Sequence, residues 1–253
     1  MKRILANNFA FLSGLILTIS MVLVSCEKGD PTDCFKNTGQ DITERRSASP
    51  FSKIVLEDNI NLVLTQSDEY SVSVRAGKNL LKKVKTDIND DVLTIKNNNT
   101  CNWMRSFDRE ITVYANLKLI HYINYKGSGD ISCTNAITTD SLLLDVVEGA
   151  GKVEMEVDVR RNYIYYHIGT AEVNYSGYAH LSYISASSFG PIYAEDLSTV
   201  FTFIKNEGSN NCYIHAENRL EATIKNLGNI YYKGNPEIVL NDTGEGQLIN
   251  NNE

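Results

Sequence analysis

The sequence predicts an all-β chain whose C-terminal part is a solenoid with coils of about 20 residues, preceded by an irregular β-rich N-terminal part. Two observations lead to this fold class. Apolar residues alternate with polar ones at the two-residue period of half-buried strands, and helical spacing is nearly absent. In the second half, short glycine-containing turns recur at a nearly constant interval, which is typical of solenoids.

The alternation of apolar and polar residues begins at Phe51. Ile54 and Leu56 belong to a first run, and Leu62 and Leu64 belong to the next. A strand with this pattern buries one face and exposes the other. We therefore predict a β-rich N-terminal part over residues 50–116 and solenoid repeats over residues 117–253.

The glycine-containing turns carry the repeat. Successive turns are separated by 22, 20, 19, 18, 20 and 18 residues, when the turn position is taken at Gly129, Gly151, Ala171, Gly190, Gly208, Gly228 and Gly246. We predict two strands in each coil, with glycine at the turn because a tight corner needs positive φ or a close approach to the next coil. The alternative is a β-sandwich or meander, in which turns recur at shorter spacings of roughly 8 to 12 residues.

Parallel stacking of the coils predicts ladders of inward-facing side chains. The first ladder consists of the apolar residue that follows each turn: Ile131, Val153, Val173, Ile192 and Ile230. The second ladder lies two residues further on: Cys133, Met155, Tyr175, Ala194 and Tyr232. In a solenoid each coil buries such residues only against its neighbours.

The N-terminus has the features of an export signal. Lys2 and Arg3 precede an apolar run whose strongest part, residues 9–24, is short for a membrane-spanning helix, which needs roughly 20 residues. The LVSC sequence at residues 23–26 resembles the lipobox of bacterial lipoproteins, which implies removal of residues 1–25 and a lipid anchor on Cys26, with the membrane as partner. The alternative is an ordinary secretory signal with a chance cysteine. Residues 26–49 are polar and are predicted to be a flexible tether.

Charge argues against nucleic acid as a partner. Without residues 1–25 the chain has 22 basic and 31 acidic residues, which gives a net charge of −9. Binding to phosphate backbones needs clustered Lys and Arg side chains. We therefore expect no nucleic-acid partner.

The cysteines and histidines give no metal-binding pattern, and we expect no metal or other cofactor. Cys34 and Cys101 lie in polar sequence and could form a disulfide after export, whereas Cys133 and Cys212 are expected to be small buried hydrophobes. The histidines are scattered over different coils and are expected at the surface and not as ligands: His121, His167, His180 and His215.

Catalytic motifs with specific spacing, such as GxSxG, HExxH or a phosphate-binding glycine loop, do not occur. We therefore predict that the chain is not an enzyme and assign no catalytic residues. The enzymatic alternative is a polysaccharide lyase or hydrolase, which needs carboxylates clustered across neighbouring coils. Ten tyrosines between residues 163 and 232 are a weak signal for binding, because tyrosine also simply favours strands.

Several segments carry a family resemblance: FSKIVLEDNINLVLTQ (51–66), DVLTI (91–95), ITVYANL (111–117), GSGDI (127–131) and LGNIYYKGNP (227–236). With the lipobox, they resemble the autotransporter adhesin family with the head GIN domain, common in Bacteroidetes. The resemblance extends from about Pro50 to the C-terminus and implies a right-handed parallel β-helix-like solenoid. The GIN element corresponds to Asn59, Ile60 and Asn61, with asparagine in place of glycine.

We therefore predict a lipid-anchored protein of the cell envelope, at the outer membrane and facing either the periplasm or the outside. Its predicted role is that of an adhesin, or of a module that binds a glycan or an envelope or host protein. The alternatives are the carbohydrate-active enzyme and an envelope scaffold or stress-sensing partner. The resemblance brings no established ligand and no site residues.

Overall fold

The computed structural model describes residues 37–99 and 110–252, which form a β-solenoid of about 6 turns with coils about 20 residues apart, as predicted. The strands are β1 (Asp41–Arg46), β2 (Lys53–Asp58), β3 (Asn61–Gln66), β4 (Ser71–Gly77), β5 (Val84–Asn89), β6 (Val92–Asn97), β7 (Thr112–Leu117), β8 (Tyr122–Gly127), β9 (Ile131–Cys133), β10 (Ile137–Val146), β11 (Lys152–Tyr166), β12 (Glu172–Ala186), β13 (Ile192–Asn206), β14 (Cys212–Ile224), β15 (Ile230–Lys233), β16 (Glu237–Asp242) and β17 (Leu248–Asn250). Over these residues, no helix is long and apolar enough to cross a membrane.

Consecutive coils stack in parallel, and this confirms the first predicted ladder. Val153 pairs with Ile131 in the preceding coil and with Val173 in the following one. The ladder continues through Ile192 and reaches Ile230 by way of Cys212 in β14. Its predicted members are all 0% exposed. Each coil therefore supplies part of the hydrophobic interior of the next.

In the central coils, the two predicted strands of a coil are the two limbs of one continuous bent strand. The first limb follows the glycine turn and the second limb precedes the next turn. Backbone pairing continues through the bend, where Val157 of β11 pairs with Gly177 of β12. Gly177 has a φ of +101°, a conformation that glycine adopts without steric penalty. At the two ends of the solenoid the limbs are separate strands.

The N-terminal strands form layers of the same solenoid, but not in sequence order. Strands β2 and β3 lie between two parallel layers, with β6 and β7 on one side and β8 and β9 on the other. Antiparallel strands then cover the outer layer, because β5 pairs with β6 and β4 pairs with β7. This end of the stack is therefore capped, which protects its backbone groups from pairing with other chains.

The predicted tether is partly wrong. Residues Asp41–Arg46 form strand β1, which pairs antiparallel with β4. Its side chains are almost all exposed, so the strand is held by backbone hydrogen bonds and has no apolar period that a sequence pattern would reveal. The other predictions for this region lie outside the described residues: the signal peptide of residues 1–25, the lipid anchor on Cys26 and the Cys34–Cys101 disulfide.

Asn59 and Ile60 of the GIN element lie in the turn between β2 and β3, and Asn61 is the first residue of β3. The left-handed residue of this turn is Asp58, with a φ of 64°, and not the asparagine that follows it. Ile60 is buried in the core. The Asn59 Oδ1 accepts a hydrogen bond from the Asn97 side chain, and the Asn61 Oδ1 accepts one from the backbone N–H of Asp130. The two asparagines thus connect the layer of β2 and β3 to the layers on either side.

Two buried tyrosines hold successive turns together. The Tyr125 hydroxyl donates to the carbonyl of Gly129 at 2.6 Å and accepts from the backbone N–H of Gly151 in the next coil at 2.9 Å. Tyr166 repeats the arrangement by donating to the carbonyl of Ala171. Burial raises the pKa of Tyr166 to about 12, which keeps the phenol neutral. Both tyrosines therefore act as hydrogen-bonding core residues.

Close approach of neighbouring coils, and not positive φ, explains why glycine recurs at the turns. None of the six glycines that mark the predicted turns has a left-handed φ. At Gly129, a β-carbon would collide with the carbonyl oxygen of Ile60 in the adjacent layer. The absence of a side chain is therefore required where the backbones of neighbouring coils touch.

Candidate binding surfaces on the two limbs

A row of stacked tyrosines runs along the outside of the first limb. The ring centroids of Tyr193 and Tyr213 are 5.1 Å apart with an interplanar angle of 19°, and those of Tyr213 and Tyr231 are 4.8 Å apart with an angle of 11°. These distances match the spacing of paired strands, roughly 4.8 Å. We call the three residues the tyrosine ladder.

The tyrosine ladder is better suited to stabilising the stack of coils than to binding a ligand. Rings that stack face to face cover each other, so a ligand finds mainly their edges. Offset-stacked aromatic pairs contribute about 0.5 to 1.5 kcal/mol beyond the area that they bury. The ring at one end of the ladder, Tyr193, borders a groove in the same limb.

This groove has a volume of about 540 Å³, within the range of roughly 300 to 1,000 Å³ that small-ligand sites occupy. It lies on the first limb of β11, β12 and β13, next to the end of β9. Acidic side chains dominate it. The lining residues are Cys133, Glu154, Met155, Glu156, Glu172, Asn174, Tyr175, Ser176, Tyr193, Glu195 and Asp196. We call it the acidic groove.

A β-bulge directs one of these carboxylates. Asn174 pairs with Tyr193, but Ser176 pairs with Asp196, so β13 has one residue more than β12 between these pairs. Such bulges bend a strand and re-aim its side chains. The extra length lies at Ala194 and Glu195. The Glu195 Oε2 atom is buried and has no hydrogen-bond partner among the described residues.

Two inward-facing residues complete the interior side of the acidic groove. Tyr175 is 2% exposed, and its hydroxyl finds no hydrogen-bond partner in the described part of the chain. Burial raises the pKa of Tyr175 well above its usual value. Burial also raises the pKa of the Cys133 thiol, and its sulfur accepts a hydrogen bond from the backbone N–H of Glu156 at 3.1 Å. Both groups are therefore neutral at physiological pH.

The carboxylates of the acidic groove differ in their partners. Lys152 Nζ lies 2.5 Å from a carboxylate oxygen of Glu154 and 3.8 Å from one of Glu172. The Asn174 side chain donates to Glu172 at 3.0 Å. The other three acidic residues make no ion pair within residues 37–99 and 110–252: Glu156, Glu195 and Asp196. The groove therefore keeps a net negative charge.

A second surface lies on the outside of the second limb and combines three half-buried tyrosines. Tyr163 and Tyr165 of β11 face Tyr183 of β12, with ring centroids 5.8 to 6.4 Å apart. Their rings are tilted or edge to face, at angles of 42° to 83°, so they do not cover each other as the rings of the tyrosine ladder do. Flat, partly exposed rings of this kind can pack against a ligand ring.

Beside these tyrosines, a hydrogen-bonded polar cluster surrounds Asp145. Its carboxylate accepts from the Tyr122 hydroxyl at 2.7 Å and from the Asn124 side chain at 3.1 Å, and its other oxygen lies 3.0 Å from His167 Nε2. Asn124 is 7% exposed, and its Oδ1 has no partner in the described residues. Burial and then the hydrogen bond to Asp145 raise the pKa of Tyr122. With Tyr163, Tyr165 and Tyr183, this cluster forms what we call the tyrosine–aspartate surface.

The cysteines and histidines for which the sequence analysis predicted a position divide between core and surface. Cys212 is 1% exposed, as expected, and lies in the first ladder. Cys133 is only half-buried, because β9 ends there and leaves the sulfur beside the acidic groove. Three histidines are exposed and His215 is half-buried. In the described ranges, no three His, Cys, Asp or Glu side chains are arranged to hold a metal ion.

The sequence analysis identified neither the tyrosine ladder nor the acidic groove, although a signal for the ladder was present. Tyr193, Tyr213 and Tyr231 each follow directly on a member of the first ladder, so the register alone places them in a row. The acidic groove gave no such signal, because its carboxylates come from different offsets in three coils. The bulge at Glu195 also shifts the phase of β13.

Comparison with solved structures shows the same fold in other bacterial proteins. A structure described as a "putative adhesin" from Bacteroides fragilis has a TM-score of 0.76 and 21% identity, covering 83% of this chain and 97% of that chain. One described as a "putative lipid binding protein" from Parabacteroides distasonis has a TM-score of 0.65 and 19% identity, covering 85% and 98%. At these identities the similarity shows the fold alone.

Sequence comparison gives the family. No curated protein matches the chain with significant similarity. A family model described as "putative auto-transporter adhesin, head GIN domain" matches residues 50–236, which is most of the chain and includes all the coils that carry the two surfaces. The match agrees with the resemblance seen in the β2–β3 segment and in the glycine turns. The chain therefore belongs to this adhesin family with the head GIN domain.

Proposed function

We propose that this protein is a lipid-anchored, non-catalytic binding module of the cell envelope, and that its tyrosine–aspartate surface binds a glycan. Membership of an adhesin family supports a location at the cell surface or envelope and a role in contact. The single observation that carries the glycan proposal is the position of the hydrogen-bonded Asp145 cluster beside three tyrosines whose rings do not stack on each other.

This arrangement matches the chemistry of a sugar. The faces of a pyranose ring carry C–H groups that pack on an aromatic ring, while its hydroxyls both donate and accept hydrogen bonds. The carboxylate of Asp145 and the unpartnered Oδ1 of Asn124 are acceptors, and the His167 ring can donate or accept. A sugar hydroxyl that donates to Asn124 would satisfy a buried polar atom that otherwise costs about 1 to 3 kcal/mol.

The test is a glycan array with the purified chain, followed by calorimetry with the bound glycan. We expect Tyr165→Ala to weaken binding about tenfold, since an aromatic contact contributes roughly 1 kcal/mol or more. Asp145→Asn should weaken it by a similar factor because it removes a charged acceptor. Tyr114→Ala is the matched control, since Tyr114 is also a half-buried outward tyrosine but lies in β7. Equal affinity of Tyr165→Ala and Tyr114→Ala, or an array without a bound glycan, would contradict the proposal.

The acidic groove favours one second candidate, a carbohydrate-active enzyme, because its carboxylates come from neighbouring coils. We prefer binding on physical grounds. A general acid works at neutral pH when an apolar pocket keeps it protonated, whereas three of the five acidic residues that line the groove are exposed: Glu154, Glu156 and Asp196. Release of reducing ends or unsaturated products from the bound glycan, lost in Glu195→Gln, would instead support the enzyme.

The anchoring part of the proposal depends on Cys26 in the LVSC sequence. Two or three acyl chains hold a protein firmly on a membrane, whereas one chain does so only marginally. We expect cells fed an alkyne-labelled fatty acid to label the full-length protein and to retain it in the membrane fraction. Cys26→Ala should abolish the label and release the protein. The control is Cys133→Ala, since Cys133 lies beside the acidic groove, and equal labelling of the two variants would disprove the anchor.

A further inference from the structure

We propose that the acidic groove is a second binding site, which accepts a lysine or arginine side chain of a partner protein. The site lies on the first limb and is separate from the tyrosine–aspartate surface on the second limb. It therefore does not depend on the glycan proposal, and each can fail without the other. The argument rests on unpartnered buried atoms, on charge and on the shape of the groove.

The unpartnered atoms are the first reason. The Tyr175 hydroxyl and the Glu195 Oε2 are both buried and both lack a hydrogen-bond partner among the described residues. A buried polar atom without a partner is destabilising, more so when it is charged. A carboxylate only accepts hydrogen bonds, and a tyrosine hydroxyl can also accept. The Glu195 carboxylate therefore needs a donor from the ligand, and the Tyr175 oxygen can accept from the same group.

Charge makes that donor a cation. Lys152 is the one basic residue that pairs with the carboxylates of the groove in the described structure, and it pairs with Glu154 and Glu172. Glu156, Glu195 and Asp196 line the same groove without a counter-charge. Like charges that are held close together repel each other, and a bound cation removes this repulsion. An ammonium or guanidinium group supplies both the charge and the N–H donors.

The shape of the groove favours an organic cation over a metal ion. Calcium needs six to eight oxygens that converge at roughly 2.3 to 2.6 Å, and no such group of side chains exists within residues 37–99 and 110–252. The cavity of about 540 Å³ is also much larger than an ion needs. The half-buried Tyr193 ring provides apolar surface for the methylene stem of a lysine or arginine. The Tyr193 ring can in addition attract the cation itself.

The test uses the full chain and three probes in calorimetry at low salt. The first probe is the peptide acetyl-Gly-Lys-Lys-Gly-amide, the second is the same peptide with both lysines Nε-acetylated, and the third is calcium chloride. We expect the first peptide alone to bind, and to bind more weakly as salt is added. Equal binding of the acetylated peptide, binding of calcium in place of the peptide, or no binding of the lysine peptide would overturn the proposal.

Variants locate the site. Glu195→Gln should weaken peptide binding at least tenfold, since hydrogen bonds between charged groups are among the strongest. The matched control is Glu245→Gln, which makes the same charge change at an exposed position in the last turn and should bind as wild type does. Tyr175→Phe should not lower the melting temperature, because it removes a buried hydroxyl that has no partner in the described residues, and should still weaken binding several-fold. Unchanged binding in both Glu195→Gln and Tyr175→Phe would place the peptide elsewhere and overturn the assignment.

Discussion

We expect Leu62→Ala to lower the free energy of unfolding by about 2 to 5 kcal/mol, the range measured for truncating a buried leucine. Leu62 is fully buried in β3 and pairs with Val113 of β7 on one side and with Ile131 of β9 on the other. A cavity at this position weakens the contact of the capped end with the rest of the solenoid. Single domains are stable by only about 5 to 15 kcal/mol, so the loss is large.

Urea unfolding followed by circular dichroism measures this effect. Val63→Ala is the matched control, because Val63 is the next residue of the same strand and its half-buried side chain points outward. It should lose less than about 1 kcal/mol, as surface substitutions usually do. If both variants lost the same stability, Leu62 would not be part of a continuous core.

The second large effect is expected for Gly129→Ala, which should destabilise the protein by about 1 to 3 kcal/mol, as overpacking typically does. The new methyl group would meet the carbonyl oxygen of Ile60 and the backbone N of Asn61. Both atoms belong to the backbone of the adjacent layer, so no side chain can rotate away. The Gly129 carbonyl also accepts the hydrogen bond of Tyr125, which a shift of the turn would lengthen.

Thermal unfolding of Gly129→Ala beside Ser128→Ala separates this clash from a general effect of the turn. Ser128 is the preceding residue and its side chain is exposed, so its substitution should leave the melting temperature nearly unchanged. A Gly129→Ala protein as stable as Ser128→Ala would mean that the two layers do not approach as closely as the structure has them.

The sequence was sufficient for the coils and their interior. The glycine spacing places Ile131, Val153 and Val173 at one offset, and the structure pairs them in that register. Such an inference works because a parallel stack of equal coils repeats the same environment at the same offset. The continuous bend through the middle of the central coils was not predicted. Gly177 is the only residue of β12 with a left-handed φ, and this signal does not repeat from coil to coil.

The order of the N-terminal layers could not be read from the sequence. The pairing of β2 with both β6 and β8 joins segments that are far apart in the chain, and alternation alone does not choose partners. The same limit applies to the acidic groove, where the bulge at Glu195 depends on how β13 lies against β12. For the tyrosine–aspartate surface, the sequence shows that tyrosines are frequent in these coils. That they lie beside the Asp145 cluster follows only from the register of β10 against β11, which the sequence does not reveal.

The non-sequential order of these layers also determines how the protein is assembled during synthesis. The layer of β2 and β3 is made first, yet it lies between two others: the layer of β6 and β7 is complete at Leu117, and the layer of β8 and β9 only when the chain has been translated to Cys133. Before that residue, β2 and β3 can pair with β6 and β7 on one side, but their other side still lacks a complete partner layer. From there on, each further length of about 20 residues finds a finished template and adds to the same free end. Translation therefore first completes a block of three layers and then lengthens it in one direction.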